Sequence, residues 1–341
     1  MTIYIFILFI FLLFYSNNRY YINLILIILF LLSVFRSINV GTDYYNYKII
    51  YETLSQIGIN EQIEKYKSIY DNLFTETRTF EPLFYFIYFL FNKIGISFFS
   101  LNVFLSAIFL ILANHISKKF SVSHVSSLVL FFLLFYYFMF FNTNRQAFAI
   151  LFSVLSFYNY GKNKVYFFIF SILAFSSHFS SLIFLILIPF FKYFNFSKRL
   201  SYIAILISFL IGFLITKIGD LGIGFYGLYT QYFVDDYSFN YVLLYNLSCM
   251  MIYFVFSFFY KKKYTTIVNI WILGLILQNL FLNFLYLYRI SDYFLIFQVL
   301  AIPLIFFNTR NKNILIFMST LFFLYNLILN RQGVVPYEIY L

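Results

Sequence analysis

The sequence has very few charged residues. Only 10% of its 341 residues are Asp, Glu, Lys or Arg, 63% are hydrophobic, and the mean hydropathy is +0.88. A soluble globular protein does not cover its surface with so little charge, so the composition predicts a polytopic integral membrane protein. The formal net charge of +11 is then expected to report topology and contact with anionic lipid, not nucleic-acid binding.

The sequence also lacks the patterns that disulfide, metal and nucleotide sites need. Cys249 is the single cysteine, which excludes a disulfide framework and a thiolate metal site. His115 and His124 do not have the spacing of a zinc site. The stretch GIGFYG, 222–227, matches G-x-G-x-x-G by letter, but no strand pattern precedes it. We therefore expect neither a metal nor a cofactor.

The sequence contains many apolar runs. Because a backbone in lipid must satisfy its own hydrogen bonds, these runs should be helices. We predict an all-α fold with about twelve transmembrane helices in one domain, residues 1–341. The predicted spans are 2–15, 21–35, 96–114, 125–141, 146–160, 164–177, 179–191, 200–216, 241–260, 265–288, 290–308 and 313–329. The apolar stretch 82–91 is too short to cross comfortably, so we expect a re-entrant segment there.

The charged residues of the loops separate by sign on the two predicted sides. The positive-inside rule assigns one set of cations to the cytoplasm. That set is Arg19, Lys118, Lys119, Lys162, Lys164, Lys192, Lys198, Arg199, Lys261, Lys262, Lys263, Arg310 and Lys312. All 12 acidic residues then fall on the outer side, most of them in outer loops at about 36–81 and 217–240. This assignment requires that 82–91 does not cross.

Four polar clusters lie on the predicted outer face. They are the segments 36–52, FNTNRQAFA (141–149), AFSSHFSS (174–181) and YLYRISDYF (286–294). Ionisable groups at membrane depth that face a shared cavity are candidates for a functional site. Simpler interpretations exist for each: Arg145 and Arg289 can be interfacial anchors, Arg289 and Asp292 a helix ion pair, and His178 a structural residue in a turn.

The chemistry that these residue types favour is anion binding. A guanidinium grips phosphate with a planar fork and stays charged, so Arg145, Arg289 and Arg36 around one cavity would suit a diphosphate. A sugar hydroxyl would need a base, for which His178 and Asp43 are the first candidates. The tyrosines at 44, 45, 47 and 51 are candidates to stack on sugar rings, although aromatic residues are also common at membrane interfaces. We expect Gly41 to provide a positive φ or a close backbone approach. The supporting residues of this site are Gly41, Glu81, Asn142, Gln146 and Asp292.

Together these segments resemble a known family, the integral-membrane polymerases of bacterial surface polysaccharides of the Wzy and EpsG-like type. The resemblance covers most of the chain and rests on the order of six motifs. They are FRSINVGTDYYNY (35–47), FEPLF (80–84), NTNRQAFA (142–149), LAFSSHFSSLIFL (173–185), RISDYF (289–294) and a terminal PYE (336–338).

The resemblance implies a lipid-diphosphate-dependent glycosyltransferase in the bacterial plasma membrane. Such proteins polymerise oligosaccharide repeat units on undecaprenyl diphosphate at the outer face, for O-antigen of lipopolysaccharide or for capsule and exopolysaccharide. They need neither a nucleotide sugar nor a metal, and a chain-length regulator protein and a flippase are the implied partners. Arg145 and Arg289 are then expected to hold the diphosphate with Arg36 as a third clamp, and His178 to act as the base with Asp43 second.

Two other functions remain open from the sequence. A ligase-like glycan transferase would share the arginine clamp and differ only in its acceptor. A transporter or flippase of lipid-linked glycans should have polar groups along both halves of a pathway, whereas the predicted cytoplasmic side carries only cations in short loops.

Overall fold

The computed structural model describes residues 1–13, 19–56, 81–220, 236–282, 284–305, 309–330 and 333–339. Within these ranges every regular element is a helix, and Arg36 and Ile339 form an isolated antiparallel bridge. The all-α prediction is therefore confirmed.

The described helices follow one another closely along the chain. In order they are α1 (Thr2–Leu13), α2 (Arg19–Val34), α3 (Tyr44–Gln56), α4 (Pro82–Lys93), α5 (Phe98–Phe120), α6 (His124–Leu133), α7 (Tyr136–Asn142), α8 (Asn144–Asn159), α9 (Lys164–Ser177), α10 (Ser181–Leu187), α11 (Lys198–Asp220), α12 (Asp236–Phe259), α13 (Thr266–Leu280), α14 (Leu285–Tyr288), α15 (Asp292–Leu295), α16 (Gln298–Ala301) and α17 (Thr309–Ile328). Short 3-10 turns occur at Ile188–Phe190, Arg289–Ser291 and Ile302–Ile305.

Three described helices are long and apolar enough to cross a membrane: α5, residues Lys198–Ile215 of α11, and Val242–Phe259 of α12. A fourth candidate is the pair α6 and α7, which bends by 49° at the break between them. Phe135 lies in that break with a φ of 68°. The described helices thus supply three or four spans by length and composition, and the predicted number of about twelve is not confirmed.

The predicted spans 265–288 and 290–308 are interrupted in the structure. The first is helical only to Leu280 before a turn, and the second consists of short α and 3-10 segments up to Ile305. Two local features accompany the second interruption. Ser291 Oγ donates to the carbonyl of Tyr288 at 2.6 Å, and Pro303 supplies no backbone N–H. Hydropathy cannot detect such breaks because the flanking residues remain apolar.

The stretch 82–91 lies within α4, a helix of 12 residues. Its length of about 18 Å is well short of the roughly 30 Å hydrocarbon core, in agreement with a segment that does not cross. Pro82 occupies the first turn, where its missing N–H costs nothing. Whether α4 turns back inside the membrane stays a prediction.

A hairpin of two helices positions two residues of the candidate site. Helices α8 and α9 pack against each other, with Ser156 Oγ and Ser171 Oγ 2.7 Å apart, and Gly161 turns the chain with a φ of 75°. Arg145 opens α8 and His178 follows α9, so these two residues lie at one end of the hairpin. Lys162 lies in its turn, at the opposite end.

The C-terminal tail, residues 333–339, lies across the segment 36–42. Four hydrogen bonds from backbone N–H groups and tyrosine hydroxyls hold it there. They run from Gly41 N to Gly333 O at 2.9 Å, from Ser37 N to Glu338 O at 2.7 Å, from Tyr337 OH to Leu32 O at 2.9 Å and from Tyr4 OH to Val334 O at 2.9 Å. The terminal PYE motif therefore has a structural role.

Candidate functional site

Glu81 connects two of the residues that the sequence singles out. It precedes α4 with an extended backbone, φ −64° and ψ 149°, and its residue surface is only 4% exposed. Oε2 of Glu81 accepts a hydrogen bond from Nη1 of Arg145, and Oε1 is hydrogen-bonded to Nδ1 of His178. Glu81, Arg145 and His178, which we call the Glu81 cluster, come from three separate segments.

The charge state of Glu81 follows from its two partners. Burial opposes ionisation, but the hydrogen bond from His178 and the positive charge of Arg145 outweigh it and hold the pKa of the Glu81 carboxyl below its usual range. An ionised carboxylate only accepts hydrogen bonds, so Nδ1 of His178 carries a proton. Nε2 of a neutral His178 is then the nitrogen that can accept one.

The cluster is open on one side. The side chain of Glu81 is 5% exposed, whereas those of Arg145 and His178 are 22% and 28% exposed. The carboxylate therefore forms the floor of the site, and the cation and the imidazole reach from it towards the surface. The guanidinium carbon of Arg145 also lies 5.7 Å from the ring centre of the buried Tyr47, which restricts its position further.

The segment 289–293 lies beside this cluster. Nε2 of Gln146 donates to the carbonyl of Arg289 at 3.0 Å and to Oδ2 of Asp292 at 3.4 Å. Ser180 Oγ and Tyr293 OH are 3.0 Å apart. Gln146 follows Arg145, and Ser180 is two residues from His178. The segment 36–52 joins them through Tyr47, which contacts Arg145, and Thr42, which contacts Asn142. The structure therefore brings the four predicted polar clusters together. The side chain of Arg289 is partly exposed.

Gly41 and Asn142 shape the turn that precedes Asp43. Gly41 has a φ of 99°, and a Cβ there would lie 2.5 Å from the carbonyl oxygen of Phe141 and 2.9 Å from Oδ1 of Asn142. The expected positive φ and close approach are both confirmed. Oδ1 of Asn142 accepts from the backbone N–H of Thr42 at 2.6 Å. Asp43 is half-buried, and its charge acts on Tyr47 together with that of Arg145.

Arg36 lies in an aromatic box instead of beside the other arginines. Its guanidinium carbon is 3.9 Å from the ring centre of Tyr44, 4.4 Å from that of Phe141 and 5.5 Å from that of Phe140. The residue is 2% exposed. No contact found among the described residues brings it to the Glu81 cluster, so its role as a third diphosphate clamp stays a prediction, while its burial favours a structural role.

The predicted sugar-stacking tyrosines are mostly inside the protein. Tyr44, Tyr47 and Tyr51 are between 3% and 6% exposed, and only Tyr45, at 56%, presents its ring to the surroundings. The stacking prediction is therefore wrong for the three buried rings, whose spacing along α3 turns them towards α4 and α5. Tyr51 OH donates to the carbonyl of Ile96, and Nδ2 of Asn92 donates to the carbonyl of Tyr51 at 2.9 Å.

Sequence reasoning did not identify Glu81 as the residue that links Arg145 to His178. The available signal was the Glu-Pro pair, because a residue before proline is held extended and Pro82 begins a helix. No sequence feature distinguishes Tyr47, Ser180 or Tyr293 from ordinary aromatic and hydroxyl residues.

The fold and the site define an all-helical membrane protein whose ionisable side chains converge at one end of a helical hairpin. The sequence model of the EpsG family matches residues 19–339, so this chain belongs to the EpsG family. The family is associated with polysaccharide biosynthesis and with glycosyltransferase-like polymerase activity. Searches of curated proteins and of solved structures give no match.

Proposed function

We propose that this protein polymerises undecaprenyl-diphosphate-linked oligosaccharide repeat units at the outer face of the bacterial plasma membrane. The observation that carries the proposal is the Glu81 cluster, in which one buried carboxylate holds a cation and an imidazole side by side. Glycosyl transfer from a lipid diphosphate needs both groups: a cation for the departing diphosphate and a base for the attacking hydroxyl.

The reaction forms one bond and breaks one bond at the anomeric carbon of the donor. The hydroxyl oxygen of the acceptor sugar attacks that carbon, and its proton passes to Nε2 of His178. The bond from the anomeric carbon to the diphosphate oxygen breaks, and the diphosphate leaves with the electron pair. Direct attack of this kind inverts the configuration at the donor carbon.

The cations act on the charge that develops on the diphosphate. A guanidinium has five N–H donors, so Arg145 can hold Glu81 and a phosphate oxygen at the same time. Arg289, on the adjacent segment held by Gln146, is the proposed second clamp. Arg36 is assigned to the support of the turn at Gly41, because its guanidinium is enclosed by rings.

The cluster changes its charge during the reaction. With Glu81 ionised, Arg145 charged and His178 neutral, its net charge is zero. When His178 takes the proton of the acceptor, the net charge becomes positive as the diphosphate departs. Glu81 stabilises the imidazolium that forms, as a carboxylate does for a catalytic histidine. Asp43, on the neighbouring turn, is the second candidate for the base.

The experiment that tests the function is the glycan ladder of a deletion strain. Loss of a polymerase leaves single capped repeats on the surface lipid, and the intact gene restores the ladder. Loss of a ligase-like transferase would remove the repeat unit from the surface lipid entirely. Loss of a flippase would leave lipid-linked units on the cytoplasmic side, where they are inaccessible to external enzymes. Either of the last two results overturns the proposal.

A further inference from the structure

Two loops on the far side of the molecule form a strongly basic cavity. Residues 195–198, before and at the start of α11, and residues 260–264, between α12 and α13, line a cavity of about 460 Å³. Its lining contains four lysines, Lys198, Lys261, Lys262 and Lys263, and no Asp or Glu. We call it the lysine cavity.

Side-chain hydrogen bonds hold both walls of the lysine cavity, partly buried on one wall and buried on the other. Nδ2 of Asn269 donates to the carbonyl of Phe194 at 2.8 Å, and its Oδ1 accepts from the N–H of Phe196 at 3.3 Å. On the other wall, Tyr253 OH donates to Tyr264 OH at 3.2 Å, and Ser257 Oγ is hydrogen-bonded to the same hydroxyl. The backbone that carries the lysines is therefore preorganised, which lowers the cost of binding.

The charge of this cavity is not balanced within the described part of the protein. The ion pairs found there join Lys48 to Glu52 and join Arg145 and His178 to Glu81, and none includes a lysine of the cavity. Four exposed lysines along one cavity create a positive potential that attracts an anion.

The lysine cavity lies at the end of the bundle opposite the Glu81 cluster. Helix α8 extends about 22 Å from Arg145 at its start to Asn159 at its end. Just beyond that end, Tyr160 and Lys162 line a second cavity of about 510 Å³ together with Thr265, which adjoins the lysine loop. The positive-inside rule predicts that this end faces the cytoplasm.

Helix α11 connects the lysine cavity to an apolar surface. Lys198 begins the helix, and Ile203, Leu206, Leu210 and Leu214 along it are between 45% and 58% exposed. An acyl chain can lie along this surface while the phosphate of the same molecule occupies the cavity. Because residues Lys198–Ile215 of α11 are a candidate span, this surface is expected to face lipid, and a phospholipid beside it has its headgroup next to Lys198.

We propose that the lysine cavity binds the phosphate headgroup of an anionic phospholipid from the cytoplasmic leaflet, at a site separate from the glycan site. Lysine binds phosphate as a point charge, and basic pockets between membrane helices on the cytoplasmic side suit such headgroups. Lipid binding at the lysine cavity does not depend on the proposed glycosyl transfer, so an experiment can contradict one proposal and leave the other standing.

The test compares two lysine pairs from the same predicted side in the full-length protein in detergent. Phosphatidylglycerol binding is measured by native mass spectrometry for the wild type, for Lys262→Gln/Lys263→Gln and for the control Lys118→Gln/Lys119→Gln. Lys118 and Lys119 are exposed at the end of α5 and do not line the cavity. We expect Lys262→Gln/Lys263→Gln to weaken phosphatidylglycerol binding about 30-fold, because each substitution removes one charge that attracts the phosphate. The control should stay within about threefold of the wild type.

Three results would overturn the site. Unchanged phosphatidylglycerol binding in Lys262→Gln/Lys263→Gln would show that the cavity does not hold the headgroup. An equal loss in both double variants would show a general effect of surface charge. Competition by inorganic phosphate as effective as that by phosphatidylglycerol would make the ligand a soluble phosphate instead of a lipid. Melting temperatures of the three proteins show whether each variant is folded.

Discussion

Glu81 and His178 are joined by a hydrogen bond across 97 positions of the sequence. The carboxylate fixes the imidazole tautomer, so Nε2 is the nitrogen available to a substrate hydroxyl. The same carboxylate binds Arg145 through its other oxygen. This relationship joins two separate motifs into one site that holds an imidazole and a cation.

Replacing Arg145 with lysine should separate the effect of its positive charge from the effect of the guanidinium shape. Lysine keeps the positive charge but loses the fork that holds Glu81 and a phosphate oxygen together. We expect chain extension to fall by roughly 10²- to 10³-fold, the loss typical of one preorganised donor to a developing charge. Glycan length and membrane protein level are the measurements. Arg199→Lys, an exposed arginine on the predicted opposite side, is the matched control. Normal polymer length in Arg145→Lys would remove its diphosphate role.

Two substitutions of Glu81 should have different consequences. Glu81→Gln keeps the shape and some hydrogen bonding but removes the charge that stabilises the His178 imidazolium, so turnover should drop roughly 10²-fold with the protein still folded. Glu81→Ala also leaves the largely buried Arg145 without its carboxylate, which should cost about 3–5 kcal/mol of stability. Initial rates and thermal unfolding in detergent measure the two effects. Equal rates in wild type and Glu81→Gln would show that the carboxylate does not act through His178.

The contribution of Glu81 to stability should depend on pH. Its folded-state pKa lies below the ordinary value of 4.5, so the stabilisation is fully present above about pH 4.5 and is lost as pH falls through the folded-state pKa. The difference in melting temperature between wild type and Glu81→Gln should therefore shrink as the pH falls below about 4.5. A difference that does not shrink in that range would contradict the charge state assigned to Glu81.

Gly41→Ala should damage the turn that positions Asp43. Gly41 and Gly161 both have a positive φ, but a Cβ at Gly161 meets nothing within 4 Å, whereas at Gly41 it approaches Phe141 O. Gly161→Ala should thus cost only the backbone strain of about 1–2 kcal/mol. Gly41→Ala should cost about 1–3 kcal/mol more from overpacking, with shorter glycan chains. Thermal unfolding and the glycan ladder are the readouts, and equal effects of the two variants would contradict the packing argument.

The sequence predicts the parts of this protein that depend on composition and local pattern. Apolar runs predict the all-helical class, and the polar segments around Arg145, His178 and Arg289 predict a shared site because each places ionisable groups at the end of an apolar run. The interruptions after Leu280 and between Arg289 and Ile305 were not predicted, since the residues on both sides of each interruption remain apolar. The predicted segments 57–80 and 221–235 of the outer loops, and Arg331 and Gln332 of the tail, lie outside the described residues.

Contacts between residues that are far apart in the sequence are the second feature that the sequence does not predict. No local pattern assigns Glu81 to His178 and Arg145, because the contact depends on how the α8–α9 hairpin packs against α4. The same limit applies to Arg36 and the three buried tyrosines of α3. Their residue types suit a ligand and an aromatic core equally well, and burial alone distinguishes the two.

The most direct test of the central claim is glycosyl transfer by the purified protein with lipid-linked repeat units as donor and acceptor. His178→Ala is compared with His115→Ala, an exposed histidine near the cytoplasmic end predicted for α5. We predict that His178→Ala binds the lipid-linked donor with wild-type affinity and forms roughly 10²-fold less elongated product, while His115→Ala elongates normally. Wild-type elongation by His178→Ala would contradict the account and assign the base to Asp43 or another acid.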